Sequence, residues 1–193
     1  MFGVSVLAKN KKCEIVQAAY ELFLENGYDN SSVKMIAERA GVAQGLMYNF
    51  FESKEILFDE VLSMAHDMFR VKMMAIAEEH KDSPPEEYIE RYADAILENR
   101  EEAIFLLSSS LTPRLRERAK PILKAYSDGM IGMMEPLFPG LPDELLYDIG
   151  SLLLAVSDSF IVDGDRERAV RAGLFVIEIF SKYTADLKKG ELR

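Results

Sequence analysis

Four residues with the chemistry to read a nucleic acid fall within one short segment, and they are Gln44, Gly45, Tyr48 and Asn49. Side-chain amides hydrogen-bond well to adenine edges, a tyrosine hydroxyl can reach phosphate, and glycine allows a close approach. On a helix these positions share the outer, N-terminal side, whereas Met47 and Phe51 point toward the core. The spacing therefore predicts a helix that presents hydrogen-bonding groups to DNA.

A second short helix and a glycine turn have to position that helix. Ser32 offers an N-cap for a helix over Val33–Ala40, and Gly41 supplies the turn that follows it. Ala37 is small enough for the next helix to approach closely. The interval Val33–Phe51 thus predicts a helix-turn-helix, whose second helix lies in the major groove. A plain helical hairpin has the same pattern, so the spacing alone leaves both interpretations open.

The longer string around this interval resembles the TetR family of transcriptional regulators. It extends over Gly27–Val33, Ile36–Val42 and Gly45–Leu57, with Ala-Gly-Val, Gly-x-x-Tyr-x-x-Phe and Ser-Lys-Glu at the intervals of that family. The rest of the chain matches only as a helix pattern. The resemblance implies an all-α protein with a three-helix helix-turn-helix DNA-binding domain in residues 1–55. A helical ligand-binding and dimerisation domain is implied for residues 56–193.

The resemblance also implies DNA contacts, position by position. Ser32 matches a phosphate-contacting hydroxyl, Lys34 a side chain at the groove, and Lys54 a phosphate clamp at the start of the fourth helix. The recognition-helix face corresponds to Gln44, Gly45, Tyr48 and Asn49. Ala43 and Leu46 replace hydroxyl-bearing residues that are usual in the family, so we do not expect its usual base preferences.

Apolar residues recur at spacings of three and four throughout, which predicts about nine helices and no strands. The first is predicted from Lys11 to Asn26, two short helices form the motif above, and a long one follows from Ser53 to about Glu79. Further helices are predicted at about 84–99, 101–111, 113–137, 143–162 and 166–187. Pro121 should kink its helix unless it starts a new one.

The charge is distributed unevenly along the chain. The net charge is −10, yet the first 58 residues carry six basic and seven acidic side chains, so the acidity belongs to the remainder. A near-neutral N-terminal segment can bind DNA if its lysines face the phosphates. The single cysteine, Cys13, is expected to be buried and fits a reducing, cytoplasmic setting. No apolar run is long enough to cross a bilayer, and no signal peptide is expected.

The last two predicted helices have the composition of a pairing surface. Residues 143–162 are apolar nearly all round, and the final helix places small residues beside large apolar ones. The resemblance implies a homodimer joined by a four-helix bundle from two copies of this pair. The predicted dimer interface comprises Leu152, Val156, Ala169, Ala172, Gly173, Val176 and Phe180. The alternative is that both helices are core of a monomer.

The middle helices are rich in methionine and aromatic residues, which adapt to irregular shapes. The resemblance implies that this part holds a small-molecule inducer, and the scarcity of charge favours an apolar or aromatic one. The predicted lining comprises Met68, Tyr92, Phe105, Tyr126, Met130, Met133 and Phe160. The same residues also suit an ordinary core, and that alternative stays open.

Other chemistry has little support in the sequence. His66 and His80 have no partners at metal-ligand spacing, Ser109 has no histidine near it in sequence, and no cofactor motif is present. We therefore expect no enzyme, no metal and no cofactor. The sequence predicts a ligand-responsive repressor that binds palindromic operator DNA as a dimer. The alternative is a dimeric interaction protein that binds DNA or protein constitutively, without an effector.

Overall fold

The computed structural model describes residues 2–135 and 137–189, which form nine α-helices and no strand. Within the helices, the side chains of residues 2–9, 110–111, 114, 122–123, 125–128, 130–131, 133, 154–159 and 187–189 lie outside the description. The helices are α1 (Phe2–Asn30), α2 (Val33–Arg39), α3 (Gln44–Phe50), α4 (Lys54–Glu79), α5 (Pro85–Glu98), α6 (Arg100–Leu111), α7 (Pro113–Met134), α8 (Asp143–Asp163) and α9 (Arg166–Lys189). The predicted all-α class is confirmed.

Helix α1 differs most from the prediction. It begins at Phe2 rather than near Lys11, and it is interrupted at Gly27, whose φ of 78° and ψ of 166° are not helical. Glycine adopts positive φ without a steric penalty, so the chain leaves the helix axis there and turns toward α2. Helix α7 is continuous through Pro121, which therefore does not start a new helix. Cys13 is exposed, and its predicted burial is wrong, because its side of α1 faces away from the core.

The turn of the helix-turn-helix has the features that the sequence predicts. The Ser32 hydroxyl accepts a hydrogen bond from the Met35 backbone amide at 3.2 Å, which caps α2. Gly41 follows with φ of 62°, a conformation that favours glycine. Helix α3 then starts after Ala43, which provides no side-chain cap. Ile36 and Ala37 of α2 are buried, so the two helices pack through their inner sides.

One hydrophobic core joins the first three helices to the rest of the chain. Buried residues of α1, α3 and the first half of α4 are completed by Phe105 of α6 together with Leu115 and Ala119 of α7. Helix α4 contributes to this core up to Ala65 and then, from Phe69, to a second core. We call α1–α3 with the start of α4 the head, and the remainder the body. The core does not end at residue 55, so the predicted two-domain division stays a prediction.

The second core is built by residues of α4, α5, α6, α8 and α9, together with Met134 at the end of α7 and Phe138 of the turn after it. Helices α5 and α9 approach closely at Gly173, where an added Cβ would lie 2.9 Å from Cγ2 of Ile89. Arg166 at the start of α9 also pairs with Asp94 of α5. Arg100 on α6 donates to the carbonyl oxygens of Ile161 and Val162 at the end of α8. These contacts hold α9 against α5 and the end of α8 against α6.

Candidate nucleic-acid interface

The outward side of α3 is polar and open. The residues that the sequence assigns to it are all exposed, and they are Gln44, Gly45, Tyr48 and Asn49. Met47 is fully buried and Phe51 nearly so, which anchors the opposite side of the helix in the head core. A Cβ added to Gly45 would meet no atom within 4 Å, so this glycine is not required by packing inside the protein. The arrangement can place two amides and a phenol in a groove.

Helix α2 contributes an exposed hydroxyl and an exposed cation beside this surface. Ser32 is exposed at the helix N-terminus, where backbone amides also favour an anion. The Lys34 ammonium lies 3.8 Å from the Glu38 carboxylate, and both side chains are mostly in solvent. Such an exposed pair is weak, so Lys34 can exchange this partner for a phosphate at little cost.

Lys54 is held by Tyr28, a residue that the sequence interpretation did not single out. The Lys54 ammonium donates to the Tyr28 carbonyl oxygen at 2.5 Å and lies 4.1 Å from the centroid of the Tyr28 ring. The Tyr28 hydroxyl donates to the neighbouring Glu55 carboxylate at 3.1 Å. One tyrosine, placed by the Gly27 turn, therefore fixes the first two residues of α4. An ammonium has three donors, so Lys54 can reach a phosphate while it keeps the bond to Tyr28.

The position of α2 on α1 depends on a second group that the sequence did not reveal. Arg39 of α2 binds Glu25 of α1 through two hydrogen bonds and lies 3.4 Å from Glu21. The hydrogen bond from Arg39 holds the pKa of Glu25 below its ordinary value. A charge pair at a separation of fourteen residues has no periodic signature, and only a search for opposite charges on predicted facing sides could have found it.

Those predicted inducer residues whose side chains the structure describes do not form one group. Met68 is 42% exposed on α4, and Phe105 belongs to the head core, so the ligand-binding role of both stays a prediction. Tyr92 packs against the second core and stacks on the buried Tyr88 with ring centroids 6.4 Å apart. Phe160 is buried beneath the Arg168 guanidinium. The side chains of Tyr126, Met130 and Met133 lie outside the described residues.

The predicted dimer residues divide into inner and outer positions. Gly173 and Val176 are buried in the chain's own body, against α5 and in the second core, so their assignment to the dimer surface is corrected. Phe180, Ala169 and Ala172 are half-buried, and the side chain of Val156 lies outside the description. Leu152 is exposed. The other exposed large apolar residues of α8 and α9 are Tyr147, Val162, Phe175, Ile179 and Tyr183 among the described side chains.

The two histidines lie among ordinary protein groups. His66 is buried and its pKa is lowered because burial disfavours the charged ring. His80 lies 3.3 Å from the Ser83 hydroxyl and 3.5 Å from the Glu87 carboxylate. Across the described side chains, no three His, Cys, Asp or Glu residues come together as a metal site. In the same part of the chain, no helix has the length and apolarity needed to span a membrane.

The head is similar in sequence to known regulatory proteins. Residues 15–61 match the family described as bacterial regulatory proteins, tetR family. The chain is 49% identical over 45 residues to the fatty acid metabolism regulator protein of Bacillus subtilis, covering 23% of each chain. It is 33% identical over 91 residues to an uncharacterized HTH-type transcriptional regulator of the same organism, YhgD, covering 47% of each. The chain thus spans about a quarter to a half of these curated relatives.

Solved structures extend the similarity to the whole fold. A putative TetR-family regulator from Mesorhizobium loti superposes with a TM-score of 0.69 at 17% identity, covering 89% of this chain and 97% of the other. FadR of Bacillus subtilis, solved in complex with stearoyl-CoA, gives 0.61 at 24% identity, covering 86% and 96%. At these identities the similarity establishes the fold. The relatives and neighbours are transcriptional regulators, not enzymes, in agreement with the sequence interpretation.

Proposed function

We propose that this protein is a ligand-responsive transcriptional repressor, because residues 15–61 match the model of the tetR family of bacterial regulatory proteins and the chain has the fold of regulators of that family. It binds palindromic operator DNA as a homodimer, in the cytoplasm, and a small apolar or aromatic inducer releases it. The observation that carries the proposal is the exposed polar side of α3, anchored from behind by Met47 and Phe51.

In this proposal, α3 contacts the bases, and residues before and after it in the sequence contact the phosphates. Gln44 and Asn49 hydrogen-bond to base edges, since their amides can donate and accept at once. Ser32, Lys34 and Lys54 bind phosphates on either side, and Tyr48 adds a hydroxyl. Gly45 allows the helix to approach the bases because no side chain stands between them.

Selection of bound duplexes from a random library tests this readout. The expected result is an inverted repeat, because two heads related by a two-fold axis read two half-sites in opposite orientation. The matched control is a Gln44→Ala, Asn49→Ala double variant, which should retain weak binding to random DNA but select no motif. Failure of the native protein to enrich any sequence would contradict the proposal.

The dimer is supported by an apolar surface on the outer sides of α8 and α9. Phe175 is 61% exposed, and Ile179 and Tyr183 follow it at one-turn intervals on α9. Leu152 of α8 is 45% exposed as well. Several large apolar side chains left exposed on one pair of helices are typical of an interaction surface. A second copy that presents the same surface covers it and sets the spacing of the two heads.

Light scattering tests the dimer. Phe175→Glu with Ile179→Glu introduces four carboxylates at a two-fold interface and should give a monomer. Glu178→Gln, on the same turn of α9, removes a charge and should leave the dimer intact. A native protein that is monomeric at micromolar concentration would contradict the proposal.

The response to an inducer follows from the sharing of helices between the two cores. Helices α4 and α6 contribute to both cores, and the partly buried Leu106 of α6 packs against both. A ligand that displaces these helices in the body must therefore move the head. It acts only if it binds the two arrangements with unequal affinity.

A thermal-shift screen followed by operator release tests the effector. The compounds should include single-ring and fused aromatic molecules. Saturated acyl-CoA thioesters belong in the screen as well, because the chain is similar to a fatty acid metabolism regulator and to FadR of Bacillus subtilis, which was solved with stearoyl-CoA. A compound that raises the melting temperature and weakens operator binding supports the proposal. If no compound does both while operator binding is intact, the constitutive alternative replaces it.

A further inference from the structure

A cavity of about 260 Å³ lies where the head meets the body, between the end of α1 and the end of α6. We call it the joint cavity. Its inner wall is aromatic and apolar, and it is formed by Phe23, Tyr28, Phe58, Phe105 and Leu115. An apolar cavity of about 150 Å³ already accommodates benzene. The joint cavity therefore has room for one aromatic ring with a short substituent.

The arrangement of the wall suits an aromatic occupant. The rings of Phe58 and Phe105 lie 6.1 Å apart and edge-on, and those of Phe58 and Tyr28 lie 4.9 Å apart in the same manner. Aromatic rings prefer such edge-to-face or offset contacts with one another. An added ring can contact the small exposed parts of Tyr28 and Phe105, behind which the Phe58 ring is fully buried.

The rim next to α6 accepts hydrogen bonds. The hydroxyls of Ser108 and Ser109 both donate to the Phe105 carbonyl oxygen, at 3.0 and 2.7 Å, and that of Thr112 donates to the Ser108 carbonyl oxygen at 2.8 Å. Since each hydroxyl hydrogen is used within the helix, the oxygen lone pairs remain to accept. A ligand at this rim is held best if it carries one hydroxyl donor.

The surrounding charges favour a neutral occupant. Asp29 is part of the rim, so a carboxylate or phosphate would meet a like charge. The Lys54 ammonium lies over the Tyr28 ring, which opposes a second cation at the same aromatic group. The cavity therefore favours neither an anionic nor a cationic ligand.

Occupation of this cavity acts on the candidate DNA contact. Tyr28 is part of the wall, and its carbonyl oxygen and ring hold the Lys54 ammonium. A ring bound between α1 and α6 would press on Tyr28, and a shift of Tyr28 would carry the start of α4 with it. The Lys54 ammonium would then lose the alignment that the proposed phosphate contact requires.

We propose that the joint cavity is an effector site for a neutral, single-ring aromatic alcohol, which weakens operator binding by displacing Tyr28. Its effect on DNA depends on the proposed function, whereas its occupation does not. The site is separate from the second core, since all five residues of its wall belong to the core that joins the head to the rest of the chain.

Calorimetry with benzyl alcohol, in the absence of DNA, tests occupation. The native protein should bind one molecule per subunit, and benzoate should bind at least about tenfold more weakly. Ser108→Phe fills the cavity with a ring of its own and should abolish that binding. Ser63→Phe, at an exposed position of α4 outside the cavity, is the matched control and should bind as the native protein does. Binding that survives in Ser108→Phe would place the ligand elsewhere and overturn the proposal.

Two further measurements keep the proposal testable if the Ser108→Phe protein fails to fold. They also distinguish failure of the cavity proposal from failure of the proposed function. A crystal of the native protein soaked in benzyl alcohol should show the ring beside Phe105, and an empty cavity would overturn the site. On the selected operator, benzyl alcohol should weaken binding and make its salt dependence shallower, as expected when a lysine contact is lost. An unchanged operator affinity would overturn the effector role. If no operator is found, the proposed function fails while the calorimetric result stands.

Discussion

Arg39 and Glu25 form two parallel hydrogen bonds between α2 and α1, with Nη1–Oε1 and Nη2–Oε2 distances of 2.8 and 2.7 Å. The planar guanidinium and carboxylate match each other in this geometry, which fixes orientation as well as distance. Because α2 packs against α3, we expect this pair to influence the angle at which α3 lies on the head.

Glu25→Gln retains the shape of the side chain but loses its charge, and it should lower the melting temperature at neutral pH. The pKa of Glu25 is lowered in the folded protein by its hydrogen bond from Arg39, so the folded state keeps the carboxylate ionised to a lower pH than the unfolded state. The stabilisation is complete above the ordinary value of 4.5 and is lost as the pH falls through the lowered value. Thermal unfolding of both proteins should therefore converge in acid. A constant difference at every pH would contradict the role of charge.

Gln44→Ala and Tyr48→Ala should affect operator binding differently. Loss of the Gln44 amide should chiefly relax discrimination at one base pair, by about 1–3 kcal/mol, because the amide reads a base edge. Loss of the Tyr48 hydroxyl should weaken binding to every duplex, because a phosphate contact is independent of sequence. Gel-shift titrations on the operator and on a scrambled duplex measure both effects. Equal losses for both variants on both duplexes would contradict this division.

Lys34→Ala should make the salt dependence of operator binding shallower. Each phosphate contact contributes about 0.9 to the slope of log K against log salt, and a dimer loses two contacts, so the slope should fall by about 2. Fluorescence anisotropy at several salt concentrations measures the slope. Lys81→Ala, a lysine of the body that pairs with Glu78, is the control and should leave it unchanged.

Phe105→Ala should destabilise the head and the body together. The ring is buried in the head core, where it contacts Tyr20 and Phe58 edge-on, and its loss should cost about 3–5 kcal/mol of unfolding free energy. Urea unfolding followed by circular dichroism, and by the fluorescence of an environment-sensitive dye attached to the exposed Cys13 of the head, should give one shared transition at lower urea. A head that unfolds separately would show that the core does not couple the two parts.

Gly173→Ala should destabilise the fold by about 1–3 kcal/mol although alanine favours helices. The added Cβ would lie 2.9 Å from Cγ2 of Ile89, a branch that cannot rotate away easily. Gly132→Ala on α7 is the matched control, since nothing lies within 4 Å of its added Cβ, and it should stabilise by about 0.5–1 kcal/mol. Equal effects of the two changes in urea unfolding would contradict the contact with α5.

The helix-turn-helix can be predicted from the amino-acid sequence because the signals for that unit are local. The Ser32 cap, the Gly41 turn and the inward Met47 and Phe51 all act within a few residues of one another, and the structure has each of them as predicted. Most other helices agree with prediction for the same reason, since apolar period and turn residues are read over one or two turns of helix.

Tertiary structure alone decided which buried sides meet. Gly173 and Val176 have the composition of a pairing surface but lie against α5 and in the second core, and Phe105 completes the head rather than the body. The bonds of Lys54 to Tyr28 and of Arg39 to Glu25 join residues far apart in sequence. Helical periodicity tells which side of a helix is buried but not against which partner, since that choice is made by the packing of all nine described helices at once.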